Sequence, residues 1–532
     1  MSTMLWTLPL LMMACRDGST DVKTSHETDP APTTDTSADT STDTAIDERF
    51  QPLVDQLLLD LAENDAPGVS VAVMEDGVVT FAAGFGSARP DAEAPVTTDT
   101  LFQLGSTTKM FTAVAVLQEV EAGRLSLDQT VDTLVPELEP AANPGSFSQM
   151  TVRHLLTHQG GFYDALDWSD SPDDAYLAEW LESYADTYWL MADPGVFYNY
   201  SNPNWSVAGR LLEVVDPGGR PYAERVESEV FRPLGMERTT FSKAQAKADG
   251  DYALGVGYDI DRQGRATYGD LTMLMIDDNA SSRPAGGCTW STPTELLQMA
   301  SFLMAGDDAV LDDALRQELV SAQVSTLGPL DDAYGYGLFV TPGFSLSDGY
   351  HDVELWTHGG NTLGYTSDFY VVPSEGFAIS IMSSGYGQDF TPSVATALET
   401  LLELGPPVAG PEVPFDPARL DDHVGTYEDV VNGAFTIERE GDGLTIDWPL
   451  LAAYDYEVAP ELVPISDAYW LLEIDGVPYD LTFVGEPGTP SDYAANRVFV
   501  GRRVEEGKVS VSLPPPPVLP EPVMHISPLR RF

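Results

Sequence analysis

Cysteine and lysine are scarce in this chain. Two cysteines in 532 residues, Cys15 and Cys288, are too few for a disulfide framework. The lysines number five: Lys23, Lys109, Lys243, Lys247 and Lys508. Lys and Arg together make 26 residues against 84 Asp and Glu, a formal charge of -58. A chain this acidic offers no basic patch to hold nucleic acid or anionic lipid. Its acidity fits an exported protein, one from a saline setting, or simple solubility, and composition does not separate these. Two catalytic signatures are also missing. No Gly-x-Ser-x-Gly elbow occurs, which sets aside an α/β-hydrolase. His154 and His158 stand four apart, but residue 155 is Leu rather than the Glu of a His-Glu-x-x-His zinc site. Both read as structural histidines.

What remains is enough to fold. With 43% apolar residues and 10% aromatics, the chain can bury a large core, and its length suggests two to four domains. Residues 1–14 form an apolar stretch too short to span a bilayer and of signal-peptide length. They end at Cys15, after Leu-Met-Met-Ala, a sequence similar to the lipobox of bacterial lipoproteins. In such proteins that cysteine is lipidated, and the protein sits on the periplasmic face of a membrane or on the cell surface. Plain secretion is the alternative. Residues 16–47, dense in Thr, Asp and Ser, read as a disordered tether.

Order is expected from residue 48. Phe50, Leu53, Leu57, Leu58 and Leu61 recur at helical spacing. Residues 69–85 read as a hairpin turning at Glu75-Asp76-Gly77. A helix-rich middle follows, and strand signals return at 366–372 and 377–383 around a turn at Pro373-Ser-Glu-Gly376. Leading and trailing strands should therefore share one sheet, with a helical lobe inserted and a cleft between. A Pro/Gly-rich linker at 406–417 separates this 48–405 unit from residues 418–505. That second unit alternates short apolar runs with turns, including 434–437, 444–448, 468–474, 481–484 and 497–500, and reads as a small β barrel or sandwich. Residues 506–532 are expected to be irregular.

The chemistry concentrates at residues 101–117, where an apolar run ends at Gly105 and a helical pattern starts at Ser106. A serine there lies at a helix N-terminus, among free N–H groups and the positive dipole end. Lys109, one turn on, shares its face. A serine hydroxyl needs a base to become a nucleophile, and a desolvated lysine can lose its proton near neutrality and serve. A lysine on an apolar helix in a lysine-poor chain needs a reason; exposure is the plain one, catalysis the sharp one. Tyr200-Ser-Asn202 offers a phenol as a second proton carrier and an amide able to bond both the lysine and a substrate carbonyl. His358-Gly359-Gly360-Asn361 precedes the returning strands. Its glycines admit a substrate close to the backbone, and the Asn361 N–H could pair with that of Ser106 as an oxyanion hole.

These three motifs in this order resemble the serine β-lactamase and penicillin-binding protein superfamily. The likeness is to its class C-like branch, which includes D-aminopeptidases, DD-carboxypeptidases and esterases. Leu155-Leu-Thr-His-Gln-Gly-Gly161, Pro194-Gly-Val-Phe-Tyr-Asn-Tyr-Ser-Asn202, Pro284-Ala-Gly-Gly-Cys-Thr-Trp-Ser-Thr292 and Tyr334-Gly-Tyr-Gly-Leu338 also match it. The resemblance implies an α/β (α+β) sheet domain with a helical lobe, and acyl-enzyme chemistry without a cofactor on a small-molecule or peptide substrate. By the same resemblance Ser106 attacks, Lys109 and Tyr200 shuttle protons, and Asn202 and His358 orient substrate, while the Ser106 and Asn361 N–H groups hold the oxyanion. The C-terminal β unit is similar to barrels appended to D-aminopeptidase-like members. One departure matters. β-Lactamases of the family carry Lys-Thr-Gly where this chain has His358-Gly359-Gly360. A permanent cation for a substrate carboxylate is replaced by a histidine only partly charged near neutrality. That favours D-amino-acid peptides or esters over β-lactams. The alternative function is a penicillin-recognising or wall-binding protein that keeps the fold without hydrolysis.

Overall fold

The computed structural model describes residues 46–504 apart from 90–93, 168, 257–258, 261–265, 268–272, 275–277, 329–331, 414, 455 and 498. Cys15, nearly all of the tether and the 506–532 tail lie outside the described residues. Among the described residues no helix is long and apolar enough to cross a membrane.

Helix α1 spans Gln51–Glu63, with a proline in its first turn, where a missing N–H costs nothing. Phe50, Leu53, Val54 and Leu57 are buried, whereas Leu58 turns to solvent. Strands β1 (Gly68–Glu75) and β2 (Val78–Arg89) form the expected hairpin. Asp76 and Gly77 both take positive φ, 50° and 77°, the mirror-image turn whose twist suits two antiparallel strands. The leading and trailing strands of the 48–405 unit meet in one sheet. β1 pairs antiparallel with the Phe377–Ser383 strand, from Val69 opposite Ser383 to Glu75 opposite Phe377. Among the described residues nine strands make this sheet, and β1, Phe377–Ser383, Tyr365–Val372 and Leu355–Thr362 are neighbours at its centre.

Both faces are covered, so the central strands read as continuous apolar runs. Val69, Val71 and Val73 join α1 and the Thr391–Leu401 helix on one side. Ala72 and Met74, one residue out of phase, face the larger core around α2 (Lys109–Glu121). Helix α2 is buried from Lys109 to Leu117 and packs on the Asn202–Val215 helix, which suits the apolar run Ala113–Leu117.

The C-terminal unit is a curled sheet of eight strands among the described residues, with its own aromatic core of Tyr427, Phe435, Trp448, Trp470, Phe483 and Phe499. The Leu462 N–H donates to the Leu444 carbonyl at 3.0 Å, bringing the two edges together as a barrel. One expected strand is displaced. Residues 497–500 were read as extended, but the strand is Val500–Val504, and Arg497 lies in the turn after Tyr493–Ala495. This turn and its neighbours dock on the helical lobe, where Tyr163, Met191, Ala192 and Phe197 pack with Val431, Tyr493, Ala495 and Val500.

Candidate active site

Ser106 sits in a tight helical turn, Gly105–Thr108, that leads directly into α2. Two glycines let this turn press against the Leu355–Thr362 strand. Gly105 has φ of 56°, and a Cβ on it would lie 2.5 Å from the Asn361 nitrogen. A Cβ on Gly360 would be driven into the Leu104 carbonyl, whereas one on Gly359 would meet nothing closer than 3.8 Å. Ser367 donates to the Leu104 oxygen at 2.7 Å and shares a hydrogen bond with Thr107, also at 2.7 Å, fastening the turn to the strand. Gly360→Ala should therefore push the serine turn off the sheet and lower turnover by roughly 100-fold, with a lower Tm. Gly359→Ala should leave Tm unchanged, so parallel thermal melts and rate measurements check the pair.

Lys109 is 0% exposed. Its Nζ lies 3.0 Å from Ser106 Oγ and 2.8 Å from Asn202 Oδ1, and it also donates to the Ala285 carbonyl. Burial drives its pKa well below the usual lysine range; the Asp164 charge opposes this and the Arg497 charge assists it. A neutral amine has two hydrogens and one lone pair. With the hydrogens on Asn202 Oδ1 and the Ala285 carbonyl, the lone pair is left for the serine proton.

Asn202 opens its helix beside Pro203, after Ser201 in extended conformation. Its backbone N–H, one of the unsatisfied donors of a helix start, goes to Asp164 Oδ1 at 2.7 Å. Its side-chain Nδ2 donates to the same oxygen at 3.0 Å. A carboxylate accepts only, so Asp164 fixes which way the amide points and turns its oxygen to Lys109. The other Asp164 oxygen takes two bonds from Arg497, at 2.9 and 2.7 Å.

The Tyr200 ring adjoins the same group. Lys109 Nζ is 4.9 Å from its centroid, the Arg497 guanidinium lies over it at 4.6 Å, and His158 stacks on it at 4.1 Å. His158 is buried; Trp205 donates to its Nε2 at 3.0 Å, and its Nδ1 is 3.1 Å from the Ser201 carbonyl. Burial above all keeps it neutral. Among the described residues no group of His, Cys, Asp and Glu could hold a metal ion. His358 is buried as well, with Nε2 3.1 Å from the Tyr334 hydroxyl and Nδ1 2.6 Å from the Gly359 carbonyl. Gly359 and Asn361 are exposed along the same strand. Cys288 is buried, which pushes its thiol up to about 12 and leaves it unreactive.

The sequence motifs thus converge: Ser106, Lys109, Asn202 and Tyr200 meet at one point, with the His358–Asn361 strand alongside. Asp164 and Arg497 went unrecognised. Asp164 stands three residues beyond a stretch that matched the family, so its position was a usable signal. Arg497 had none, since it looked like part of an apolar strand.

A β-lactamase family model matches residues 46–402, and the chain belongs to that family. It is 29% identical over 369 residues to a D-aminopeptidase of Gluconobacter oxydans, covering 66% of this chain and 60% of the relative. It is 28% identical over 394 residues to penicillin-binding protein 4 of Amycolatopsis lactamdurans, covering 69% of this chain and 94% of that protein. The crystal structure of SurE shares the fold with a TM-score of 0.62 at 21% identity, spanning 86% of this chain and 99% of that one.

Proposed function

We propose that this protein is a serine hydrolase that cleaves amide or ester bonds of D-amino-acid substrates through an acyl-enzyme. The observation that carries the reading is Lys109. It is buried, held by two carbonyl oxygens, and has Nζ 3.0 Å from Ser106 Oγ. Membership of the family and the D-aminopeptidase relative support the substrate class. In the proposed cycle the Ser106 proton passes to Lys109 as Oγ bonds to the substrate carbonyl carbon. The backbone N–H groups of Ser106 and Asn361 take the developing oxyanion. Collapse breaks the C–N or C–O bond, and the leaving group takes the proton from Lys109 through the neighbouring Tyr200 phenol. Water then adds to the acyl-enzyme, returning a proton to the same pair, and the acid leaves with Ser106 restored.

The reading is tested with nitrocefin, p-nitrophenyl butyrate and D-alanyl p-nitroanilide, on wild type and Ser106→Ala. Serine-dependent turnover of the ester or the D-alanyl anilide, faster than of nitrocefin, is expected. Stable labelling of Ser106 by a fluorescent penicillin with no turnover of any of the three would instead make it a non-hydrolytic penicillin-recognising protein.

A further inference from the structure

We infer that Arg497, carried by the C-terminal barrel, is a positioning residue of the serine site, clamping the Asp164 carboxylate that aims Asn202 at Lys109. The barrel then completes the catalytic group rather than merely covering it.

The geometry forms one chain of contacts. Arg497 donates twice to Asp164 Oδ2, Asp164 Oδ1 receives both the backbone and the side-chain N–H of Asn202, and Asn202 Oδ1 receives Lys109 Nζ. The Asp164 side chain is only 11% exposed, so leaving its charge uncompensated would be costly. A second contact fixes the arm: the guanidinium lies 4.6 Å over the Tyr200 ring. The turn bearing Arg497 is held in turn by barrel docking, through Ala495, Val500 and Tyr493 against Met191, Ala192 and Phe197. Asn496 also reaches the Asp480 carbonyl at 3.1 Å. Asp480, Asn496 and Arg497 line the same small cleft of about 100 Å³ as Tyr198 and Tyr200, so the arm borders the space beside the site.

The arrangement has an electrostatic consequence. The groups around Lys109 are Asp164 and His158 from the segment after the Val152–Leu156 helix, Tyr200, His358 on its strand and Arg497. The turn that carries Ala285 also holds Arg283, which is bound to Asp278 and Asp174 at 2.8 and 2.5 Å. His158 is held neutral by burial. Asp164 is then the anion that favours a charged lysine, and Arg497 the cation that opposes it. Removing Arg497 leaves Asp164 to pull a proton back onto Lys109 and stop it acting as a base.

The test is the titration of Lys109 itself. Lysine-specific 13Cε labelling gives few signals, because the chain has five lysines, and Lys109→Met assigns the one of interest. Arg497→Gln should move the Lys109 midpoint to higher pH, Arg497→Lys should keep it near wild type, and Asp164→Asn/Arg497→Gln should bring it back. Asp164→Asn alone should lower it, which decides the matter if Arg497→Gln does not fold. An unchanged midpoint in Arg497→Gln, or no return in the double variant, overturns the inference. The kinetic counterpart rests on the hydrolase reading. The acid limb of kcat/KM for p-nitrophenyl butyrate should follow the same order, with a loss of about tenfold or more at neutral pH in Arg497→Gln. Absence of wild-type turnover would count against that reading alone, since the resonance titration still decides the inference.

Discussion

Ser106→Ala should remove turnover by roughly 10⁴- to 10⁶-fold while leaving the protein folded. The size follows from the role. Without Oγ there is no acyl-enzyme, and what remains is the oxyanion site and substrate binding acting on water. The fold should barely change, because Ser106 is half-buried and the lost hydroxyl makes a bond within a polar cluster. Such a bond contributes only about 1 kcal/mol. Steady-state rates together with thermal melts read both halves of this expectation. A variant that keeps more than about one part in a hundred of wild-type turnover would remove Ser106 as nucleophile.

Lys109→Arg is the second large effect, and the more informative one. A guanidinium does not lose its proton in a protein, so it can donate to Asn202 Oδ1 and the Ala285 carbonyl but cannot accept from Ser106. Loss of a general base is worth about 10²- to 10⁴-fold. In wild type, kcat/KM should rise with pH as Lys109 becomes neutral, at a pH well below the ordinary lysine range because burial disfavours the charged amine. In Lys109→Arg the rise should be absent and the residual rate flat at every pH where the protein is folded. Lys109→Met, close in volume, separates charge from packing. It should be as inactive, and it leaves Asn202 Oδ1 and the Ala285 carbonyl without their lysine donor, at about 1–3 kcal/mol each. A Lys109→Arg enzyme with an unaltered pH profile would show that the proton goes elsewhere.

Much of the framework could be read directly because its signals are local. The Glu75-Asp76-Gly77 turn needed positive φ at two positions and has it. The joining of leading and trailing strands in one sheet followed from strand signals on either side of a helix-rich middle. The site residues on α2 and at Tyr200 and Asn202 were legible because the spacing of Ser106 and Lys109 fixes a shared face, and the ordered motifs did the rest. What escaped was contact over long separations. Asp164 and Arg497 are 333 residues apart, and no periodicity or spacing records that a barrel turn will meet the start of a helix in another domain. Arg497 was hidden further by its neighbours. Between Ala494-Ala495 and Phe499-Val500 it looked like a strand residue, whereas the chain turns there and presents the guanidinium to Asp164. The His358 ring lies within hydrogen-bond distance of the Tyr334 hydroxyl and the Gly359 carbonyl, and the cation beside the cluster is Arg497, paired with Asp164.

The most direct check on the account is the pH dependence of fluorophosphonate labelling, with the modified residue mapped by peptide mass spectrometry. One adduct on Ser106 is expected, forming faster as pH rises through a midpoint far below that of a free lysine, and not forming at a measurable rate in Lys109→Arg. A folded protein that takes no label at Ser106, or takes it equally fast with arginine at position 109, would contradict it.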